Sequence, residues 1–163
     1  MSFSYEKITA VKDIQQPLVR ADLWLLVSQG FYTPTIKTRE RFLGIAYNLS
    51  GELEKINHPL KSLVSQWKEV YQDMDPKALE HEYHSLFTTD VLVNPYEGGY
   101  QRQERGGVIG DVSAFYQAFE LVPEDHSGPP DSLWNECAFL SWMNLKEANA
   151  IEQRLDDALE ITR

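Results

Sequence analysis

The stretch PLKSLVSQWKEVYQDM, residues 59–74, constrains the fold most. It sets Leu60, Leu63, Val64, Trp67, Val70, Tyr71 and Met74 at successive steps of 3, 1, 3, 3, 1 and 3, which is one face of an α-helix and cannot be one face of a strand. Asp75-Pro76 follows as an N-cap and a proline at the first helical position, and the helix it opens carries Leu79, Tyr83, Leu86 and Phe87 on one side. Upstream, QPLVRADLWLLVSQG starts a helix at Pro17 and stops it at Gly30, and Thr38 is the expected cap of a long helix through Phe42, Leu43, Ile45, Ala46, Leu49 and Leu53. Downstream, Asp111 is the expected cap of a short helix, VSAFYQAFEL. Two more helices are expected at 131–146 and 147–161, the last marked by Ala148, Ile151, Leu155 and Leu159. No segment alternates with period two, and VLV (91–93) is too short for a sheet. The expectation is an all-α, single-domain helical bundle of about seven helices over 1–163. It is interrupted by one long loop, 88–110, that holds five of the nine glycines.

At 163 residues the chain has one domain's length, and its 42% hydrophobic content is ordinary for a globular protein. The longest apolar run, LWLLV (23–27), falls far short of the roughly 20 residues of a membrane span, so no direct membrane insertion is expected. The N-terminus MSFSYEKITAVKD lacks a basic region followed by an apolar one, and a single cysteine, Cys137, excludes an internal disulfide. A cytoplasmic location is the expectation. The formal charge of -10 is lopsided: residues 1–105 carry 14 acids and 12 bases, residues 106–163 carry 11 acids and 3 bases. No Lys or Arg stands between Gly106 and Leu145, where Asp111, Glu120, Glu124, Asp125, Asp131 and Glu136 all fall. Such a half repels nucleic acid, whose binding needs cationic side chains, and attracts a cationic partner.

Three stretches invite chemical readings. EHEYH (80–84) places His81 and His84 three apart beside Glu80, but Ser85 stands where a zinc-protease helix needs its second histidine. With only His58 and His126 besides, a solvated helix face is the better account, and no metal is expected. RGGVIGD (105–111) has the glycines of a phosphate loop, but no strand precedes it and no Gly-Lys-Ser/Thr follows, so a turn capped by Asp111 is favoured. Cys137 lies on an apolar helix face and reads as a buried small hydrophobe, and no nucleophile–base pair can be defended. The residues supply no positive argument for an enzyme or a cofactor.

Two segments read together carry a resemblance. LEHEYHSLFTTDVLVNPYEGGY (79–100) resembles the Glu-x-Tyr-x-x-Leu-Phe helix and Pro-Tyr-Glu loop of the TorD-like redox-enzyme maturation chaperones, the TorD, DmsD and NarJ relatives. GPPDSLWNECAFLSWM (128–143) is similar to that family's Pro-Pro-Asp-His segment and following helix, and Phe115, Tyr116 and Phe119 match the aromatic helix between them. The resemblance is clearest over 79–145 and implies one TorD-like chaperone domain that is all-α and not an enzyme. It further implies a partner: the twin-arginine signal peptide and precursor of a molybdopterin oxidoreductase, held in the cytoplasm during cofactor insertion before export.

A receptor for two guanidinium groups beside an apolar stretch needs carboxylates next to a greasy groove. Under this resemblance Asp131, held by Pro130 and followed by Ser132, supplies one acid, and Glu97 and Glu136 supply others. Tyr83, Phe87, Pro95, Tyr96, Tyr100 and Trp134 supply the apolar part. Each has a plainer reading: Asp131 as a helix cap, Tyr83 and Phe87 as core, Glu136 as an anchor for a buried loop. The chain departs from the family pattern at Ser132, where histidine is usual, and at Gly98, where serine follows Pro-Tyr-Glu. Family chains also continue beyond LDDALEITR, so either a short member or a truncated one completed by another chain, as in a homodimer, is expected. The competing functions are a small helical enzyme or nucleotide-binding protein using the Gly106–Asp111 turn, and a scaffold for a folded enzyme subunit.

Overall fold

The computed structural model describes residues 5–100, 105–121 and 128–162, with side chains from Asp13 in the first helix and from Gly106 in the fifth. Glu124, Asp125 and His126, named above for charge and for metal binding, lie outside the described residues. Among those described the regular structure is helical: α1 (Tyr5–Gly30), α2 (Ile36–Lys55), α3 (Lys61–Asp73), α4 (Pro76–His84), α5 (Arg105–Ala118), α6 (Leu133–Gln153) and α7 (Asp156–Thr162). A π-helical turn, Ser85–Thr89, extends α4, and Glu97–Gly99 forms a single 3₁₀ turn.

Alpha-helices α1, α2 and α3 enclose the main core. Leu26, Phe42, Ala46, Leu49, Leu53 and Val64 are all buried there, and the Phe42 and Tyr71 rings stack with centroids 4.0 Å apart. Each buried leucine contributes about 1.5–3 kcal/mol over the exposed state. The Arg39 guanidinium donates to the carbonyls of Tyr71 (3.1 Å) and Gln72 (2.6 Å), placing a cation at the electronegative end of α3. The periodic face of α3 is only half covered: Val64 is buried, but Leu63, Trp67 and Val70 keep substantial exposure.

Alpha-helix α1 lies along α6. Ser28 Oγ donates to the Trp134 carbonyl at 2.8 Å, Arg20 Nε donates to Asn144 Oδ1 at 2.8 Å, and Arg20 pairs with the buried Glu147. This contact explains the first departure from expectation: α1 begins at Tyr5 and runs through Pro17. The missing N–H and ring clash of an interior proline cost about 3 kcal/mol, and here the fully buried Pro17 packs in the α1–α6 seam, so tertiary packing overrides the local stop signal.

Other boundaries shift for local reasons. Thr35, not Thr38, caps α2. Its hydroxyl accepts from the Thr38 N–H while Thr38 Oγ1 accepts from the Thr35 N–H, so Thr38 closes a reciprocal box as third helical residue. Asp75 caps α4 as expected, accepting from the Ala78 N–H at 3.0 Å. The expected loop 88–110 is shorter at its far end because α5 begins at Arg105. Gly106, Gly107 and Gly110 are helical, and Asp111 is mid-helix and not a cap. That removes the glycine turn on which the nucleotide-binding alternative rested. The two expected C-terminal helices fuse through 146–147 into α6, which breaks only at Arg154 in a left-handed conformation (φ 56°).

Candidate functional site

The two family-like segments, far apart in sequence, meet backbone to backbone. The Glu97 N–H donates to the Asp131 carbonyl (2.8 Å), the Leu133 N–H donates to the Pro95 carbonyl (2.9 Å), and Tyr96 and Ser132 form an antiparallel bridge. The Asp131 side chain reinforces the junction by accepting from the Gly98 N–H at 3.3 Å, and it is completely buried. Asn135 Nδ2 donates to the Pro129 carbonyl (2.9 Å), and the Tyr116 hydroxyl donates to the Pro130 carbonyl (3.0 Å), tying the corner to α6 and to α5. Gly128 turns the chain in with φ 84°, and a Cβ there would stand 3.0 Å from the Trp134 ring, so both conformation and space require glycine. By backbone geometry the cap of α6 is Ser132 and not Asp131, which lies one residue outside.

This arrangement sorts the sequence-derived residues. Tyr83, Pro95, Asp131, Ser132 and Trp134 are buried. The Tyr83 hydroxyl donates to the Phe31 carbonyl at 3.2 Å. The half-buried Phe87 ring packs on Phe31 and Tyr83 at 5.8 and 5.1 Å. Tyr96 is half-buried against Trp134, with centroids 5.8 Å apart, and Pro130 is half-buried. Glu97 and Tyr100 are exposed, with the Tyr100 hydroxyl donating to the Asn94 carbonyl at 2.9 Å. Glu136 is half-buried one turn into α6, near Glu97.

Three acids therefore converge from the 3₁₀ turn, the corner and α6. Burial, followed by the charges of Glu97 and Asp131, raises the Glu136 carboxyl from its ordinary value to about 7. Among the described residues, the buried Oε1 of Glu136 has no hydrogen-bond partner. Neighbouring groups respond in the same sense: burial and then the Glu136 charge push the Tyr116 hydroxyl upward and move the Cys137 thiol to about 11, leaving that thiol inert.

Beside Glu136 runs a groove of about 440 Å³ between α5 and α6, lined by Asp111, Val112, Phe115, Tyr116, Glu136, Phe139 and Leu140. Its aromatic floor is interlocked: Phe139 stands 4.9 Å from Tyr116 and 5.4 Å from Phe115, centroid to centroid. Phe115 is 56% exposed. An apolar trough with a carboxylate from each wall suits a cationic, apolar chain. A second cavity, of about 260 Å³ among α1, α2 and α3, is lined by Leu26, Phe31, Phe42, Trp67, Tyr71 and similar groups with no charged residue, so it offers no carboxylate to pair with a guanidinium.

Sequence reasoning passed over Asp111, Val112, Phe115, Phe139 and Leu140 as site residues. The signal that would have found them is the matched spacing of Asp111 with Phe115 and Glu136 with Leu140, each an acid one helical turn before an exposed apolar residue. In the tested EHEYH segment, His84 Nδ1 sits 2.8 Å from Thr88 Oγ1 and Nε2 lies 4.0 Å from Glu80. Among the described residues no group of three His, Cys, Asp or Glu gathers as a metal shell, and no helix is long and apolar enough to cross a membrane.

A family model described as nitrate reductase delta subunit matches residues 52–163, which contain the corner, the groove and all three acids. No curated protein matches the chain. A crystal structure of a candidate redox enzyme maturation protein from Archaeoglobus fulgidus superposes with a TM-score of 0.60 at 20% identity, covering 88% of this chain and 89% of that one, a likeness of fold. Since the family model spans more than half of the sequence, the chain belongs to the nitrate reductase delta subunit family, among the NarJ and TorD-like redox-enzyme maturation chaperones.

Proposed function

We propose that the chain, as one chaperone domain acting in the cytoplasm, binds the twin-arginine signal peptide of a molybdoenzyme precursor and holds it until cofactor insertion is complete. The observation that carries this reading is the α5–α6 groove, where Phe115 and Leu140 lie exposed between Asp111 and Glu136. Guanidinium groups of the peptide meet Asp111, Glu136 and Glu97, and the apolar stretch after them lies over Phe115, Phe139 and Leu140. Each peptide leucine buried there contributes about 1.5–3 kcal/mol before ordering costs.

In this reading Tyr96 and Tyr100 extend the apolar rim beyond the groove. Pro95, Pro130, Asp131, Ser132 and Trp134 hold the corner that sets the position of Glu97 relative to Glu136, and Tyr83 and Phe87 pack with Phe31 at the end of α1. No step requires catalysis.

The test is fluorescence anisotropy with a labelled peptide carrying Arg-Arg before an apolar run. Replacing both arginines by glutamine should weaken binding at least about tenfold, as expected for lost charge-assisted hydrogen bonds. Phe115→Ala should weaken it about as much with little loss of stability, and added salt should weaken the arginine peptide selectively. Equal affinity for the arginine and glutamine peptides would instead favour a scaffold for a folded subunit.

A further inference from the structure

We propose that a second copy of this chain docks on the bare side of α3, the two α3 helices packing antiparallel about a two-fold axis at Trp67. Two apolar faces run along this helix. Val64 and Tyr71 turn inward, where Val64 is buried and the Tyr71 ring stacks on Phe42. Leu60, Leu63, Trp67, Val70 and Met74 recur at steps of 3, 4, 3 and 4, the narrow seam by which one helix packs along another. The first four of these are each between 38% and 55% exposed, so the seam is built but uncovered. It borders the uncharged cavity of about 260 Å³, to which Trp67 and Val70 contribute one wall and Val27 and Phe31 of α1 another.

Charge and area select an antiparallel second copy as the occupant. Lys61 and Lys68 stand in the first two turns of α3, while Glu69 and Asp73 lie in the remainder, the reverse of what a helix dipole favours. The two lysines lean toward α2, onto Glu54 and Tyr47, which leaves the seam clear of them. Leu60, at the N-cap position, gives the first turn no side-chain hydrogen bond. An antiparallel copy sets its Glu69 and Asp73 beside this open, positive helix end and receives this chain's acids at its own. A parallel copy would set like ends together.

The exposed parts of the four seam side chains amount to roughly 300 Å². Interfaces are about 57% apolar, so such a centre implies roughly 500 Å² per partner and about 1,000 Å² in all, the smallest size of a specific interface. A weak dimer follows, with a Kd on the order of 100 µM. About the two-fold axis Trp67 meets its own copy, and Leu63 faces Val70 of the partner subunit.

The experiment is sedimentation equilibrium of the full chain from about 5 µM to about 1 mM, a range that brackets this Kd. Expected is a rise from monomer to dimer mass, without larger species, since a two-fold interface closes on itself. Leu63→Glu and Val70→Lys change exposed positions, so each should keep the parent's urea midpoint while weakening dimerisation at least about tenfold. Mixed in equal amounts, the two variants should pair with each other. The double variant should regain the parent's affinity to within about threefold, because antiparallel packing sets each new acid against a new base, whereas parallel packing sets like against like. Independently of any variant, amide exchange over 61–73 in the parent should slow at the highest concentration relative to the lowest. A monomer at about 1 mM, or a dimer that both single variants leave intact, overturns the proposal. Dimerisation lost in the single variants and not regained in the double overturns the antiparallel arrangement. An Arg-Arg peptide that splits the parent dimer and fails to bind Leu63→Glu assigns this face to the peptide and overturns the dimer as its occupant. Unchanged peptide affinity in Leu63→Glu is the expected result, with dimer and peptide on separate faces.

Discussion

The layer formed by α1, α2 and α3 and the region formed by the 3₁₀ turn, the proline corner, α5 and α6 are built on opposite principles. In the first, apolar side chains from facing helices fill a common interior, and Leu26, Leu49 and Leu53 have essentially no exposure. In the second, the pieces that matter are held by polar bonds. Backbone groups of Pro95, Glu97, Asp131 and Leu133 pair, a buried carboxylate accepts a glycine N–H, and tyrosine and asparagine side chains reach proline carbonyls. The difference teaches that burial decides stability in one region and placement in the other. A residue can be buried in the second region, as Asp131 is, because it holds a surface group in position.

That contrast can be attacked directly. Leu49→Ala should cost about 2–5 kcal/mol in urea denaturation, because it opens a cavity in the first region, while the folded fraction binds peptide with unchanged affinity. Impaired affinity in the folded protein would erase the distinction. Asp131→Ala should cost about 1–3 kcal/mol for the orphaned Gly98 N–H and the lost support of the turn, and should speed hydrogen exchange at Gly98. Asp131→Asn, which keeps an acceptor, should be milder. A loss of peptide binding with stability untouched would instead make Asp131 a direct contact.

The pH dependence of stability gives a smaller effect. The Glu136 carboxyl is raised in the folded state, so its contribution to stability is present below the unfolded value of 4.5 and is lost as pH rises toward 7. Glu136→Gln should therefore match the parent at pH 4.5 and exceed it at pH 8, by an amount that solvent screening of this half-exposed group keeps modest. A parent more stable than the variant at pH 8 would mean the carboxylate is well solvated. The smallest change is Gly110→Ala: a Cβ there meets nothing within 4 Å, so the helix should gain about 0.5–1 kcal/mol of stability if α5 is helical through this residue in solution. Destabilisation would restore the glycine turn.

Much of the helical layout was readable because the signals are local. Asp75-Pro76 starts α4 by a hydrogen bond spanning three residues, and the 3.6-residue apolar repeat marks α2 and α3 from their own composition. The misread positions are those where a neighbour overruled a local cue. Pro17 continues a helix because the α1–α6 seam buries it, and Asp111 stands mid-helix because three glycines, permissive in isolation, were recruited into α5. Within the site, the motif order announced that 95–98 and 128–136 matter together and offered Asp131 and Trp134 as peptide contacts, and the structure buries both.

The sequence by itself determined the all-helical class, the acidity of the second half and the family to which the two motifs point, since each is carried by residue type and short-range spacing. Tertiary structure alone decided that Gly98 bonds to Asp131, 33 residues away, that Glu136 meets Glu97, and that Asp111 and Glu136 face one groove. Those relations arise when α5, α6 and the turn are brought together, and no pattern of neighbours along a chain records how far its distant parts will lie from one another in space.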